Sequence, residues 1–406
     1  MPLDTLIFDA SRCGFPKPRI PHLPILPDCL NIASRNQPAW AGAAHFRHFI
    51  RGRFALREAY RLAGIGPGST LLAPAYHCLT MLDPALALDG DVALYPLRDD
   101  LSPDLAALER LVAVSAAPVK AVLATHYFGI SQDFTKLATW CEKHDIALVE
   151  DCSHMLLTTQ FRAPGCGSHG DYVISSPYKF IPSPDGGLLY ARQKDMLAGL
   201  DCRQPSLKEE LRGIAYALSN ANEFHQASRT CNINQIQREL TALNDEAMPK
   251  GRNVPESGSY STYYHPAKEM FASLRVSRFI ERHANIPAIA ARRRHNFHRW
   301  LAGVSKLSHC RPLFPKLPEN CIPYMFPLYL EMPDPHFYYL MRLGVPVWRW
   351  DSIAASSCST ANDYRLHLLH LPCHQSLSDD ELDWMIAAIR KVGAGGTASA
   401  TTAGAP

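Results

Sequence analysis

Two acidic residues and one lysine carry the chemistry that this sequence advertises. An apolar run at 146–149 ends in Glu150 and Asp151. An acidic pair at the carboxyl end of a buried strand is costly unless it faces a ligand or a cation. Further along, a strand-like run at 172–175 precedes Lys179, flanked by Tyr178 and Phe180. Pro177, Pro182 and Pro184 surround it, and Asp185-Gly186-Gly187 follows. A neutral amine in apolar, turn-rich surroundings condenses with a carbonyl. A carboxylate and an amine so placed suggest a pyridoxal 5'-phosphate (PLP) site.

The elements that must position these groups read as alternating strands and helices. Strands are expected at 69–74, 91–97, 120–125, 146–150 and 172–175. Ser102 can cap a helix starting at Pro103, with Leu105, Leu108 and Val112 on one face. Ser131 can cap the next, where Phe134, Leu137, Ala138 and Cys141 share a face. Such alternation predicts an α/β fold, a mainly parallel sheet covered by helices, with ligands beyond the carboxyl ends of its strands. Those ends read PAYHC (74–78), HYFG (126–129) and DCSH (151–154), so aromatic and imidazole groups gather where a flat cofactor would lie. A helix that starts after Gly52 and stops at Gly64 offers its N-terminal amides to a phosphate.

The chain of 406 residues is 47% hydrophobic, enough for one large core and a smaller second one. Its 41 basic and 38 acidic residues nearly balance, so no global field draws it to nucleic acid or to an anionic membrane. The 12 cysteines are scattered without a CxxC pair, and no apolar run is long enough to span a bilayer. The first residues do not read as a signal peptide, and a reduced, cytoplasmic enzyme is expected. Residues 1–40 are proline-rich and read as an irregular N-terminal arm, followed by a large PLP-binding domain at 41–260. A smaller C-terminal α+β domain spans 261–392, with strands at 326–330 and 345–348. In it, Ile286, Ile289, Ala290, Phe297, Trp300, Leu301 and Val304 make one helix stripe. Its last helix has a Ser378–Glu381 capping box and stops at Gly393. Residues 393–406 read as a disordered tail. Between about 196 and 260 periodicity weakens, and a long loop or lid is expected.

PAYHC, HYFG, EDCSH, GDYVISSPYKF, PDGG and the late LPCHQSLSDDEL, taken in order, resemble the DegT/DnrJ-type sugar aminotransferase family. The likeness runs in register from about residue 51 to 190 and returns in the C-terminal domain. It implies a fold-type-I PLP-dependent enzyme of the aspartate aminotransferase superfamily, built as a homodimer. Glutamate or glutamine is the implied amino donor, and a keto-sugar nucleotide the implied acceptor. Carried over residue by residue, Lys179 forms the Schiff base with PLP and Asp151 pairs with the pyridine nitrogen. His154 falls near the cofactor's phenolic oxygen, and Ser176, or alternatively Ser175, falls at the phosphate-binding serine. Arg53 and Phe54 match the helix-start pair whose amides hold that phosphate. Cys78 aligns with the ring-stacking aromatic.

Several positions depart from the family's pattern. Arg53 replaces the usual hydroxyl, although a guanidinium also binds phosphate. A cysteine cannot stack as a ring does, which makes Tyr76 the substitute. The family's Asn-Tyr pair that reaches the partner's phosphate is not found; Tyr263, Tyr264 and His265 stand in that neighbourhood. Gly-Glu-Gly-Gly reads Pro-Asp-Gly-Gly. Bland readings compete elsewhere. His126 lines the site or is a hydrogen-bonded core histidine. His367, His370 and His374 lack the companion ligands of a zinc site, and no metal is expected. Arg292-Arg293-Arg294 reads as a solvated helix face, with a diphosphate or an acidic partner as the alternative. For the whole chain, an aminotransferase competes with a PLP enzyme of different chemistry (lyase, decarboxylase or cyclase) and with a catalytically silent PLP-fold regulator or scaffold.

Overall fold

The computed structural model describes residues 3–27, 45–157, 166–244, 249–258 and 260–395. The first half runs β1 (Leu3–Asp9), β2 (Phe46–Phe49), α1 (Gly52–Leu62), β3 (Thr70–Pro74), α2 (Leu79–Leu86) and β4 (Asp91–Tyr95). Then come α3 (Leu105–Val114), β5 (Val119–Thr125), α4 (Thr135–His144), β6 (Ala147–Cys152), β7 (Tyr172–Ser175) and β8 (Gly187–Ala191). The second half runs α5 (Leu207–Ala227), α6 (Ile233–Asn244), β9 (Arg252–Gly258), α7 (Arg275–Arg282), α8 (Ile286–Val304), β10 (Cys310–Pro312) and β11 (Met325–Leu330). It ends with α9 (Pro333–Arg342), β12 (Ile353–Ala354), α10 (Ser359–His367), β13 (Leu368–Pro372) and α11 (Asp379–Gly395).

Seven strands form the main sheet in the order β2-β8-β7-β6-β5-β3-β4, and only β8 runs against the others. Helices cover both faces, so the central strands are apolar on both sides. Leu72, Val122, Leu148 and Val173 pack into one cluster; Leu71, Leu123, Val149 and Ile174 pack into the other. Each such side chain, fully buried, contributes about 1.5–3 kcal/mol. The five strands expected from the sequence all form, within two residues of their expected ends.

Two caps differ from expectation. The helix after β4 is capped by Asp104, whose carboxylate accepts the amides of Ala106 and Ala107, and starts two residues beyond Pro103. In the next helix, α4, Asp133 accepts the Thr135 amide, and Ser131 lies upstream of that turn. In both places a carboxylate beside the helix start outcompetes an earlier hydroxyl, since it accepts more strongly.

The stretch read as a lid is largely regular: it contains α5, α6 and β9. Helix α6 places Ile236 and Leu240 in the C-terminal core with Trp300 and Trp384. Strand β9 pairs with β1, which also pairs with β12, in a three-stranded antiparallel sheet. The N-terminal segment therefore includes a strand, and α6 lies with the C-terminal body although it precedes residue 261. Residues 28–40 of the expected arm, residues 41–44 and the tail beyond Gly395 lie outside the described residues. In the C-terminal body, β10-β11-β13 form the third sheet. The stretch at 345–348 makes only an isolated bridge from Trp348 to His370. Glu381 and Ser378 make the expected reciprocal capping box. Among the described residues no helix is long and apolar enough to cross a membrane.

Candidate active site

Strand alternation separates the two carboxylates. Glu150 turns to the face of Leu148, where it accepts from His126 Nε2 at 2.8 Å and from the amides of Gly167, His169 and Gly170 at 2.6, 3.1 and 2.8 Å. Burial opposes ionisation of Glu150, but the His126 bond and these amides outweigh it and bring its pKa down to about 2. Gln132 donates its amide to His126 Nδ1 at 2.9 Å, so the ring proton sits on Nε2 and points at Glu150. Both His126 nitrogens are thus committed. The donor atoms of His126, Glu150 and Cys152 lie within 4.8 Å of one another, but this histidine has no lone pair left for a metal. Of the two readings of His126, the structure gives the core histidine; it lies outside the site.

Asp151 turns the other way, into a cavity of about 440 Å³ that Lys179 also lines. Burial raises its pKa, opposed by the Lys179 charge and by hydrogen bonding from Ser153, whose amide donates to Oδ1 at 2.8 Å. Lys179 closes a short 3₁₀ turn after β7, and its Nζ sits 5.4 Å from the centroid of the Tyr324 ring. His154 lies beside them. It accepts the Phe128 amide on Nδ1 at 3.3 Å, and its ring is 4.4 Å from that of Tyr324. Burial and then the Lys179 charge hold this imidazole neutral, far below its ordinary pKa.

The start of α1 forms one end of the cavity. Arg51 stands at its N-cap with no side-chain cap. A Cβ on Gly52 would lie 2.3 Å from Ser176 Oγ, so only glycine lets the helix start come this close to the serine. Ser176 Oγ donates to Ser153 Oγ at 3.2 Å. A Cβ on Gly187, in β8, would lie 2.3 Å from the carbonyl carbon of Arg51. The Asp-Gly-Gly motif therefore lets a strand and a helix start touch. Its carboxylate, Asp185, accepts the Leu274 amide at 3.2 Å and the Ser277 hydroxyl at 2.5 Å, which ties the turn to the start of α7.

Of the residues expected at the site, Lys179, Asp151, His154, Ser176, Arg53 and Cys78 line this cavity. Tyr76, the expected ring-stacking substitute, does not. It is fully buried, its hydroxyl is 2.8 Å from His370 Nε2, and the rings of Tyr127, Trp350 and Tyr364 enclose it. Phe54 points into the core against Tyr264, and its amide already donates to the Arg51 carbonyl at 3.1 Å. Ser175 is buried within β7, away from the cavity that Ser176 lines. Tyr263 reaches the cavity mouth, where the Arg53 guanidinium donates to its carbonyl. Tyr264 is buried beneath, with its hydroxyl on Glu269 at 2.8 Å, and His265 is exposed.

The opposite wall was not foreseen. Tyr324, Trp348, Arg349, Trp350, Asp351 and His370 line it. The guanidinium of Arg349 lies 3.6 Å from the Phe337 ring centroid and 3.4 Å from Asp351 Oδ2. The Trp-Arg-Trp-Asp cluster at 348–351, with charge and aromatics alternating in an otherwise apolar stretch, is the signal that could have found it. The histidines at 367, 370 and 374 are spent separately, on the Leu330 carbonyl, the Tyr76 hydroxyl and the Pro21 carbonyl.

A lysine and a buried carboxylate at the carboxyl edge of a doubly covered, mainly parallel sheet define the fold-type-I class of aminotransferase folds. Solved structures share this architecture. The aminotransferase TlmJ from Streptoalloteichus hindustanus superposes with a TM-score of 0.59 at 19% identity, over 88% of this chain and 87% of that one. NtdA from Bacillus subtilis, solved with bound PMP, gives 0.58 at 14% identity, over 86% and 73%. Residues 38–202 match the model of the DegT/DnrJ/EryC1/StrS aminotransferase family. Over 175 residues the chain is 26% identical to a UDP-N-acetyl-3-dehydro-alpha-D-glucosamine 3-aminotransferase of Acidithiobacillus ferrooxidans, covering 43% of this chain and 44% of that protein. Over 192 residues it is 28% identical to Protein MosB of Rhizobium meliloti, covering 46% and 34%. The match thus spans less than half the length of these curated relatives.

The family's cofactor is PLP, and the residues present fit it. The missing Cβ of Gly52, the Ser153–Ser176 hydroxyl pair and Arg53 make a polar cradle at a helix start. The buried carboxylate of Asp151, which already feels one positive charge from Lys179, suits a protonated ring nitrogen.

Proposed function

We propose that this protein is a PLP-dependent aminotransferase. In this reading it takes an amino group from an amino acid, glutamate or glutamine, and delivers it to a keto-sugar nucleotide or a similar carbonyl acceptor. The observation that carries the proposal is that Lys179 and Asp151 line one cavity, with a polar cradle of Ser153, Ser176 and Arg53 at the start of α1. A relative whose name specifies a 3-dehydro sugar linked to UDP supports the acceptor class.

When bound, PLP supplies a carbonyl that exchanges amines and a ring that accepts electrons. The chain's own groups then have distinct tasks. Nζ of Lys179 would hold the cofactor and, when free of it, would be the base that carries a proton from the donor's Cα. Tyr324 lies under that amine, with its ring centroid 5.4 Å from Nζ, and forms the floor on which Lys179 stands. Asp151 would pair with the ring nitrogen, since burial makes its negative charge costly unless a cation stands beside it. The Ser153 amide fixes the orientation of that carboxylate. The neutral His154 offers its Nε2 side to the cavity while its Nδ1 is occupied by the Phe128 amide. The indoles of Trp348 and Trp350 line the cavity opposite Lys179.

We also read the active unit as a homodimer, because half-buried Arg53 and exposed Tyr263 leave the cradle open on one side. Sedimentation at monomer mass removes that part of the proposal.

The test is direct. Protein reconstituted with PLP is expected to show a visible band that borohydride bleaches. Glutamate alone is expected to abolish the band and release one equivalent of 2-oxoglutarate. Failure to take up PLP ends the proposal, and release of carbon dioxide or ammonia in place of the keto acid moves the protein to a lyase or decarboxylase. A panel of keto-sugar nucleotides and simple ketones then decides the acceptor.

A further inference from the structure

The Arg292-Arg293-Arg294 run on α8 divides its work among three environments. Arg292 reaches Asp379 and the Leu377 carbonyl at 2.7 Å each. Arg294 donates to the Pro318 and Cys321 carbonyls at 3.0 and 2.7 Å. Arg293, between them, is fully buried. It corrects the reading of the run as a solvated face, because a charge so placed needs nearly every donor satisfied. Its Nε donates to Gln375 Oε1 at 2.9 Å, and Nη1 donates to the Pro323 and Tyr324 carbonyls at 3.1 Å each. Its Nη2 donates to the main-chain carbonyl of Lys179 at 3.0 Å. The guanidinium also lies 4.5 Å from the centroid of the Phe180 ring, and Gln375 Nε2 donates to the Phe180 carbonyl at 2.8 Å.

One planar fork therefore grips two backbones that both face the cavity. On one is Lys179; on the other is Tyr324, whose ring lies beneath the lysine amine and beside His154. We infer that Arg293 is the positioning residue of Lys179, setting where its amine stands relative to Tyr324 and His154. The inference rests on the reading of Lys179 as the PLP lysine. Arg293 touches no reacting atom; it acts through main-chain carbonyls of the 179–180 and 323–324 segments. Because α8 belongs to the C-terminal body and Lys179 to the large sheet, the same contact makes the amine's position depend on how the two bodies are packed. A lysine at 293 keeps the charge but lacks the fork, and cannot serve Gln375, Tyr324 and Lys179 together.

The experiment compares Arg293→Lys with the parent holoenzyme by visible circular dichroism of the bound PLP band, its pH titration, single-turnover release of 2-oxoglutarate from glutamate, and Tm. Mispositioning predicts a band whose dichroism falls by at least half and whose pH midpoint moves. It also predicts a turnover rate constant lower by roughly 10-fold to 10²-fold, with the half-saturating glutamate concentration within about twofold of the parent. A folded Arg293→Lys protein with parental dichroism, pH midpoint and rate overturns the inference. Should that variant not fold, Gln375→Leu removes the Nε partner while keeping the charge. A drop in dichroism and roughly a 3-fold to 10-fold slower turnover then support the inference, and an unchanged band and rate overturn it. Failure of the underlying reading looks different: the parent protein itself then has no borohydride-sensitive band attached to Lys179.

Discussion

The two walls of the cavity are built in opposite ways. The sheet side draws Asp151, Ser153, His154, Ser176 and Lys179 from the ends of two paired strands, β6 and β7, and the residues that directly follow them. The facing wall draws Tyr324, the 348–352 segment and His370 from a second body, where a single bridge from Trp348 to His370 joins two of them. On the first wall, alternation along a single strand decides function: Asp151 enters the cavity because Glu150 is consumed on the other face. On the second, position depends on long-range packing such as the Tyr76–His370 bond, whose partners are 294 residues apart. The sheet side thus rests on local strand pairing, and the facing wall on contacts between distant segments.

Variants can break that division of labour. The largest effect is expected on the sheet side. Lys179→Ala should eliminate the borohydride-sensitive band and lower turnover on the order of 10⁴-fold or more, measured as 2-oxoglutarate release. A K179A protein that keeps the band would break the comparison outright. Asp151→Asn should keep the fold but reduce kcat by roughly 10²–10³-fold, because a neutral amide no longer balances a ring cation. On the other face of the same strand, Glu150→Gln should destabilise the protein by about 3–5 kcal/mol in chemical denaturation, since it breaks a buried, multiply bonded carboxylate.

The pH dependence of Glu150 has a definite sign. Its pKa is lower in the folded protein, about 2 against an ordinary 4.5, so its contribution is complete above about pH 4.5 and disappears as pH falls toward 2. That contribution is about 3 kcal/mol, and E150Q should lose this part of the acid sensitivity of Tm. The smallest effect is expected for Tyr76→Phe, which removes one buried hydroxyl from His370: about 1 kcal/mol of stability and less than about 3-fold in kcat. A 10²-fold loss there would place Tyr76 in the chemistry after all and sharpen the role of the facing wall.

Much of the sheet side was legible beforehand because its determinants are local. Apolar runs closed by carboxylates, prolines and glycines mark the strands, and the order of six short motifs carries the resemblance that the family model matches over residues 38–202. What stayed hidden was set by competition at a distance. Tyr76 looked available for stacking, yet an imidazole from β13 claims its hydroxyl. His126 looked like a site residue until the Gln132 amide fixed its tautomer toward Glu150. Residues 207–258 carry weak periodicity because α5 leaves large apolar groups exposed, among them Leu207, Leu211 and Leu218. The usual segregation of apolar and polar faces therefore does not mark its helix. Arg293 sat unnoticed in a basic triplet because three identical letters hide three different surroundings.

Strand β1 deserves a practical reading. Its Thr5 and Leu6 pair with Ala354 and Ile353, the Phe8 amide donates to Ser352 Oγ at 3.1 Å, and the Phe8 ring lies 4.7 Å from the guanidinium carbon of Arg349. Seven residues near the amino end thus brace the Trp348–Ser352 lining of the cavity from behind. A substitution within β1 is therefore also a change to that lining, although no residue of the strand enters the cavity.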